Sequence, residues 1–322
     1  QQTARTKPVF IAGLARSGTT ILLTVLAALE GVATHRYRDF PFVFTPSFWE
    51  GFQSRFANSG VPVERPHQDR ILITKESPEA FEEPIWQHFF PFVHAAESCH
   101  VLDRRTQNPA FEDFFATHLR KIVLLRGGDR YLSKGNYNIT RLDYLGRLFE
   151  DARFLTPIRH PFTHVPSLVR QHEQFLGYAR QDARVGRYLE IAGHYEFGPQ
   201  RVPVHVTAES CRRVVAAWQA GEELRGYAIL WADVYRYLHS QLGGDLAPRI
   251  MTVRFETLCA EPESTLAEIT AFAGLEGRRP RTADGSPAIA APPAAAALTP
   301  AEADVIWQEA GPTAELFGYT AT

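Results

Sequence analysis

The residues most suited to chemistry in this chain are Gly13-Leu14-Ala15-Arg16-Ser17-Gly18-Thr19-Thr20. They follow an apolar run, Val9-Phe10-Ile11-Ala12, and precede a helical pattern with apolar positions Ile21, Leu22, Val25, Leu26 and Leu29. A strand that feeds a helix through a glycine-bounded turn gathers backbone N–H groups at one point, where the helix dipole also favours negative charge. This is a phosphate-binding layout, and the interval from Gly13 to Gly18 is that of a Walker A loop. A nucleoside triphosphatase carries Lys where this chain has Thr19. Here the positive charge lies inside the loop, at Arg16.

The elements that must position this loop are legible in order. Pro8–Gly13 reads as a strand buried on both faces, because its apolar residues do not alternate. Helix one opens at Ser17 or Gly18 and stops at Gly31. Thr34–Pro41 has no clear period and should lie near the mouth of the loop. Ser47–Asn58, with Phe48, Trp49, Phe52 and Phe56, fits an amphipathic helix. Ile71–Thr74, Arg130–Lys134, Arg153–Arg159 and Ile250–Phe255 read as further strands. Phe111–Leu125, Ile139–Phe149, the segment from Pro161, Glu209–Leu242, Glu263–Phe272 and Glu302–Ala310 read as helices. The aromatics Phe81, Trp86, Phe89, Phe90 and Phe92 read mainly as core. Residues 177–210 are polar, rich in Arg and Tyr, and read as an insertion or substrate lid. Residues 277–300, rich in Pro and Ala, read as a surface loop. Strands alternating with helices predict an α/β fold: three layers, with a mainly parallel central sheet flanked by helices. Ligands of such sheets sit beyond the carboxyl ends of the strands, so Gly13–Thr20, Lys134 and Arg159 should face one crevice.

Bulk numbers set bounds. With 322 residues, 45% hydrophobic and 22% charged, the chain has the composition of a soluble globular protein and reads as one domain over 1–322. A net charge of −2 argues against a general nucleic-acid or membrane-surface binder, so any anion site is local. Three isolated cysteines, Cys99, Cys211 and Cys259, suit a reducing compartment. No apolar stretch reaches membrane length, and a cytoplasmic location is expected. His160 and His164 have helical spacing without an evident third ligand, so no metal site is expected.

Gly13–Thr20 resembles the 5′-phosphosulfate loop of sulfotransferases that use 3′-phosphoadenosine 5′-phosphosulfate (PAPS). Phe154–Pro161 followed by Ser167 resembles the second signature of that family, a strand ending in Arg-x-Pro before a helix bearing Ser. Tyr131–Asn136, Thr252–Leu258 and the terminal Leu316–Tyr319 are similar to segments of its bacterial and tyrosylprotein-type branches. The resemblance implies a P-loop-type fold and direct sulfuryl transfer to a hydroxyl acceptor, a carbohydrate, small molecule or peptide, without a metal. It places the 5′-phosphosulfate on Arg16, Ser17, Gly18, Thr19 and Thr20, and the 3′-phosphate on Arg159 and Ser167. It gives Arg16 and Lys134 the task of stabilising leaving-group charge, and Asp39, His35 or Glu76 the task of general base. Arg278-Arg279-Pro280-Arg281 does not match the basic loop that cytosolic members place on the adenine side. Two other readings stay open: a nucleotide-dependent kinase with an altered Walker A loop, and a module that binds adenosine 3′,5′-bisphosphate (PAP) without catalysis. The stretches 34–70 and 177–210 are expected to set the acceptor, and the oligomeric state is not legible.

Overall fold

The computed structural model describes residues 6–46, 48, 63–64, 72–95, 99–281, 289 and 297–321. The central sheet has five parallel strands: β1 (Val9–Ala12), β2 (Val32–Ala33), β5 (Arg130–Gly135), β6 (Arg153–Ile158) and β7 (Ile250–Arg254), in the order β2-β5-β1-β6-β7. Along the chain between β2 and β5, β3 (Val63–Glu64) and β4 (Leu72–Ile73) form a separate antiparallel ribbon. The strand expected at 71–74 therefore exists but stays outside the central sheet. Strand β2 was not expected from the sequence, because two residues carry no period.

Strand β1 is fully buried along its length, as a central parallel strand covered on both faces must be. Its side chains alternate between two cores. Val9 and Ile11 pack with Leu22, Leu23 and Leu26 of α1 (Thr19–Ala27), together with Leu132, Leu155 and Ile269. Phe10 and Ala12 face the larger core. There α2 (Glu83–Phe89) and α3 (Pro109–Leu125) bring Trp86 against Phe111, 4.3 Å between ring centroids. Each such side chain, fully buried, contributes about 1.5–3 kcal/mol of transfer free energy. The aromatic run at 81–92 thus supplies core through Phe81, Trp86 and Phe90, while Phe92 stays exposed.

Further helices are α4 (Leu142–Leu148), α5 (Pro161–Gln181), α6 (Ala183–Ala192), α7 (Ala208–Gln219), α8 (Glu223–Gln241), α9 (Phe255–Ala260), α10 (Pro262–Ala273) and α11 (Pro300–Glu315). The helix expected at 139–149 begins only at Leu142; a 3-10 turn over Asn136–Thr140 precedes it. Residues 177–210 are more ordered than expected. Helix α5 continues through Gly177 to Gln181, and Asp182 caps α6 by accepting from the Arg184 N–H at 2.9 Å. The sequence looks polar there because the apolar stripe is narrow: Leu189 is buried, with Tyr178 and Val185 partly so. The helix expected over 47–58 lies, apart from Phe48, outside the described residues, as does most of 282–296. Among the described residues no helix is long and apolar enough to cross a membrane.

Candidate active site

Because the strands of the central sheet run parallel, the ends of β1, β5 and β6 lie on one edge. The register pairs Ile11 with Lys134 and with Leu155, so the Gly13–Thr20 loop lies between the carboxyl ends of β5 and β6. Thr19 opens α1 after Gly18 at φ 105°, a conformation glycine adopts without strain. A Cβ on Gly18 would also meet the Phe255 ring at 2.7 Å. Arg16 takes φ 71°, unusual for a residue with a side chain and costing about 1–3 kcal/mol that the surroundings must offset. Left-handed turns of this kind point successive N–H groups inward around an anion. Ser17 has a supporting part: its N–H (3.3 Å) and hydroxyl (2.7 Å) both donate to the Leu14 carbonyl. The N–H groups at the start of α1 are then the ones that a helix N-terminus offers to an anion.

The second signature arrives beside the first. Arg159, just past β6, donates from Nη1 to the Arg16 carbonyl at 3.3 Å and from Nε to Thr163 at 3.0 Å. Arg16 Nε donates to the Ser167 hydroxyl at 3.3 Å. Helix α5 delivers Ser167 because Pro161 starts it and His160 caps it, accepting from the Phe162 N–H at 3.2 Å. His160 donates from Nε2 to Thr320, and His164 from Nε2 to the Ala15 carbonyl at 2.8 Å. Both histidines therefore brace the loops. The C-terminal segment helps: Tyr319 donates to Glu256 at 2.9 Å, and Glu256 accepts from the His160 N–H at 2.8 Å. Arg159 stacks over Phe255, 5.0 Å from its centroid. Burial, and then the neighbouring Arg16, lower the Arg159 pKa to about 10. Two mutually repelling guanidinium groups at a helix N-terminus form a site that a multiply charged anion would relieve.

Lys134 is buried at the end of β5, with Nζ 3.7 Å from Glu79. Glu79 also accepts from the Tyr37 hydroxyl at 2.5 Å and the Ala80 N–H at 2.7 Å. The three expected base candidates are placed differently. Asp39 is buried and accepts from Arg126 at 2.5 Å and the Arg36 N–H at 2.9 Å, with His35 Nδ1 at 3.2 Å. Burial opposes its ionisation, but His35 and Arg126 outweigh that and hold the carboxyl well below the usual range. A carboxylate so stabilised is a weak base. His35 is buried too, its Nε2 2.9 Å from His118 Nε2. Glu76, 44% exposed, pairs with Arg36 (2.5 Å) and Arg38 (2.9 Å) on the surface. The geometry ties Asp39 and His35 to α3 and leaves Glu76 in an outer ion pair.

Glu79 pairs with Lys134, Tyr37 donates to Glu79, His194 lies within reach of the Lys134 charge, and Glu196 accepts from Asn136 two residues on; none of these four was singled out by sequence. The His-x-Glu spacing at 194–196 is too common to signal a site without the fold. Arg278 and Arg281 sit at the opposite end of the sheet. Arg278 pairs with Asp129 at 2.7 Å, and Arg281 donates to the Leu29 carbonyl at 3.2 Å. They therefore lie away from the crevice. Among the described residues no group of three or more His, Cys, Asp or Glu could hold a metal ion.

Comparison with known proteins matches residues 8–196 to the sulfotransferase family. No curated protein matches the chain. Among solved structures it is similar to a sulfotransferase from Alicyclobacillus acidocaldarius, at 13% identity over 96% of this chain and 92% of that one, TM-score 0.47. It is also similar to the sulfotransferase domain from the curacin biosynthetic pathway, at 15% identity over 97% of each chain, TM-score 0.42. A third is the sulfotransferase domain from the Synechococcus PCC 7002 olefin synthase, at 14% identity over 99% of this chain and 98% of that one, TM-score 0.42.

Proposed function

The chain belongs to the sulfotransferase family, and on that premise we propose that it moves a sulfuryl group from PAPS to a hydroxyl of a carbohydrate, small molecule or peptide, releasing PAP. The observation that carries this reading is the meeting of Arg16, Arg159 and Ser167 at the N-terminus of α1. We assign the 5′-phosphosulfate to Arg16, Thr19, Thr20 and the N–H groups from Gly18 onward, with Ser17 holding the loop in shape. Arg159 and Ser167 take the 3′-phosphate, a task that suits the two-pronged guanidinium fork. Lys134 meets charge developing on the leaving phosphate. Arg16 adds hydrogen bonds but does not give up a proton. Such a transfer proceeds through positioning and fixed charge, without a covalent enzyme intermediate.

The acceptor lies on the side of Glu79, where Tyr188 of α6, 41% exposed, packs edge-on to Phe40 at 5.4 Å. Strand β7 and helices α8 and α11, beyond residue 196, complete the same sheet and core, which supports one domain. The three free cysteines suit a reducing, cytoplasmic setting. Calorimetry with PAP, ATP–Mg²⁺ and a buffer control tests the reading. We expect PAP to bind more tightly than ATP–Mg²⁺. The reverse preference refutes the proposal in favour of a kinase, and PAP binding with no sulfuryl transfer to a broad acceptor panel reduces it to a binding module.

A further inference from the structure

We propose that His194, held in place by Glu196, is the base that takes the acceptor's proton. This rests on the donor-site reading above. Helix α6 ends at Gly193, whose φ of 76° turns the chain sharply; a Cβ there would lie 2.6 Å from Glu83 Cβ. The His194 N–H returns to the Leu189 carbonyl at 2.8 Å. The Tyr195 N–H donates to Tyr137 at 2.9 Å, and Glu196 accepts from Asn136, two residues beyond Lys134. The turn thereby fixes residues 194–196 against the end of β5. His194 Nδ1 lies 3.6 Å from Glu196 Oε2, an ion-pair distance at which the carboxylate charge favours the ring proton on Nδ1 and leaves the Nε2 lone pair for a substrate.

The neighbouring charges sort the roles. Besides Glu196, His194 feels Glu79 from the segment before α2 and Lys134 from β5. Glu83, behind Gly193, is neutralised by Arg141 at 2.7 Å and His94 at 2.6 Å. Burial opposes a charged His194, but Glu196 and then Glu79 outweigh it, so its pKa is raised. Glu196 is itself too stabilised to act: burial opposes its ionisation, yet His194 and Asn136 bring it down to about 2. Glu79 has both oxygens engaged by Tyr37, Ala80 and Lys134. His194 keeps 24% of its side chain exposed, enough for an acceptor to reach it. In the step, the acceptor O–H bond breaks and its proton goes to Nε2. The oxygen pair forms the new S–O bond. The bond from sulfur to the 5′-phosphate oxygen breaks, and its electrons stay on PAP beside Lys134. The imidazolium then returns its proton to solvent.

The test uses the full chain with PAPS and water as the probe acceptor, following PAP release against pH, with histidine ring NMR titration in saturating PAP. His194→Gln should slow PAP release at least about 100-fold, as loss of a general base does, and flatten the rise with pH. Its PAP affinity should stay within about threefold. Glu196→Gln should shift the His194 titration, and the same limb of the rate profile, to lower pH, a result that a merely structural Glu196 would not give. A wild-type rate and profile in His194→Gln, a His194 titration unmoved by Glu196→Gln, or wild-type turnover no faster than buffer would each overturn the assignment. Failure of the wild type to bind PAP would instead remove the donor reading.

Discussion

Arg159→Ala is the perturbation that most directly tests the assignment of Arg159 to the 3′-phosphate. In the free protein the guanidinium is already oriented by Thr163 at 3.0 Å and by the Arg16 carbonyl at 3.3 Å, so little side-chain freedom remains to be lost on binding. A hydrogen bond to a charged group contributes about 1.5–3 kcal/mol. Two such bonds to a 3′-phosphate, with partial compensation by Ser167, give roughly 3–4 kcal/mol. At about 1.4 kcal/mol per tenfold, PAP affinity should fall by about 10²–10³. The loss must depend on the 3′-phosphate, so calorimetry should compare PAP with adenosine 5′-phosphate in both proteins. The substitution should weaken PAP strongly and adenosine 5′-phosphate little. Because burial and Arg16 bring the pKa only down to about 10, the wild-type advantage should hold through neutral pH and disappear as pH rises past that value. Equal losses for the two nucleotides would refute the 3′-phosphate assignment and make Arg159 a structural brace of the loop.

Lys134→Ala should lower PAP release from PAPS by about 10²–10³, the loss typical of one electrostatic stabiliser, with PAP affinity little changed; single-turnover kinetics with unaltered rates would remove Lys134 from the mechanism. Adding Glu79→Gln to that variant should restore stability lost by removing the Lys134 charge from the buried Glu79, but not the rate. Asp39→Ala should destabilise the fold by about 3–5 kcal/mol at neutral pH, because it takes from the buried Arg126 a carboxylate partner at 2.5 Å. The folded pKa of Asp39 is depressed, so its stabilisation is present above the unfolded value of about 4 and fades as pH falls below it. Denaturant unfolding at neutral and acidic pH should show the gap between the two proteins narrowing in acid; a gap that is absent or constant would refute the ion-pair account.

Local patterns in the sequence determine much of this protein. The apolar run before Gly13, the glycine-bounded turn and the helical spacing after it fix β1, the loop and α1, since burial and backbone hydrogen bonding leave a short chain few alternatives. Pro161 after Arg159 sets the start of α5, and so the spacing of Arg159 from Ser167. The chain by itself does not place side chains that meet across long loops. Asp39 looked suited to proton transfer by position, yet only the fold brings Arg126 and His35 to it and turns it into a buried structural ion. Residues 177–210 looked like an unpatterned lid; packing turned Tyr178, Val185 and Leu189 inward and made helices of half of it. His194 and Glu196 carry no motif, and only the turn at Gly193 and the bonds from Asn136 and to Tyr137 set them at the end of β5. Spacing specifies the Gly13–Thr20 turn because its backbone shape and the Ser17 bonds to Leu14 involve neighbouring residues, whereas the partners of Arg16 and the surroundings of Lys134 come from distant segments whose meeting depends on tertiary packing.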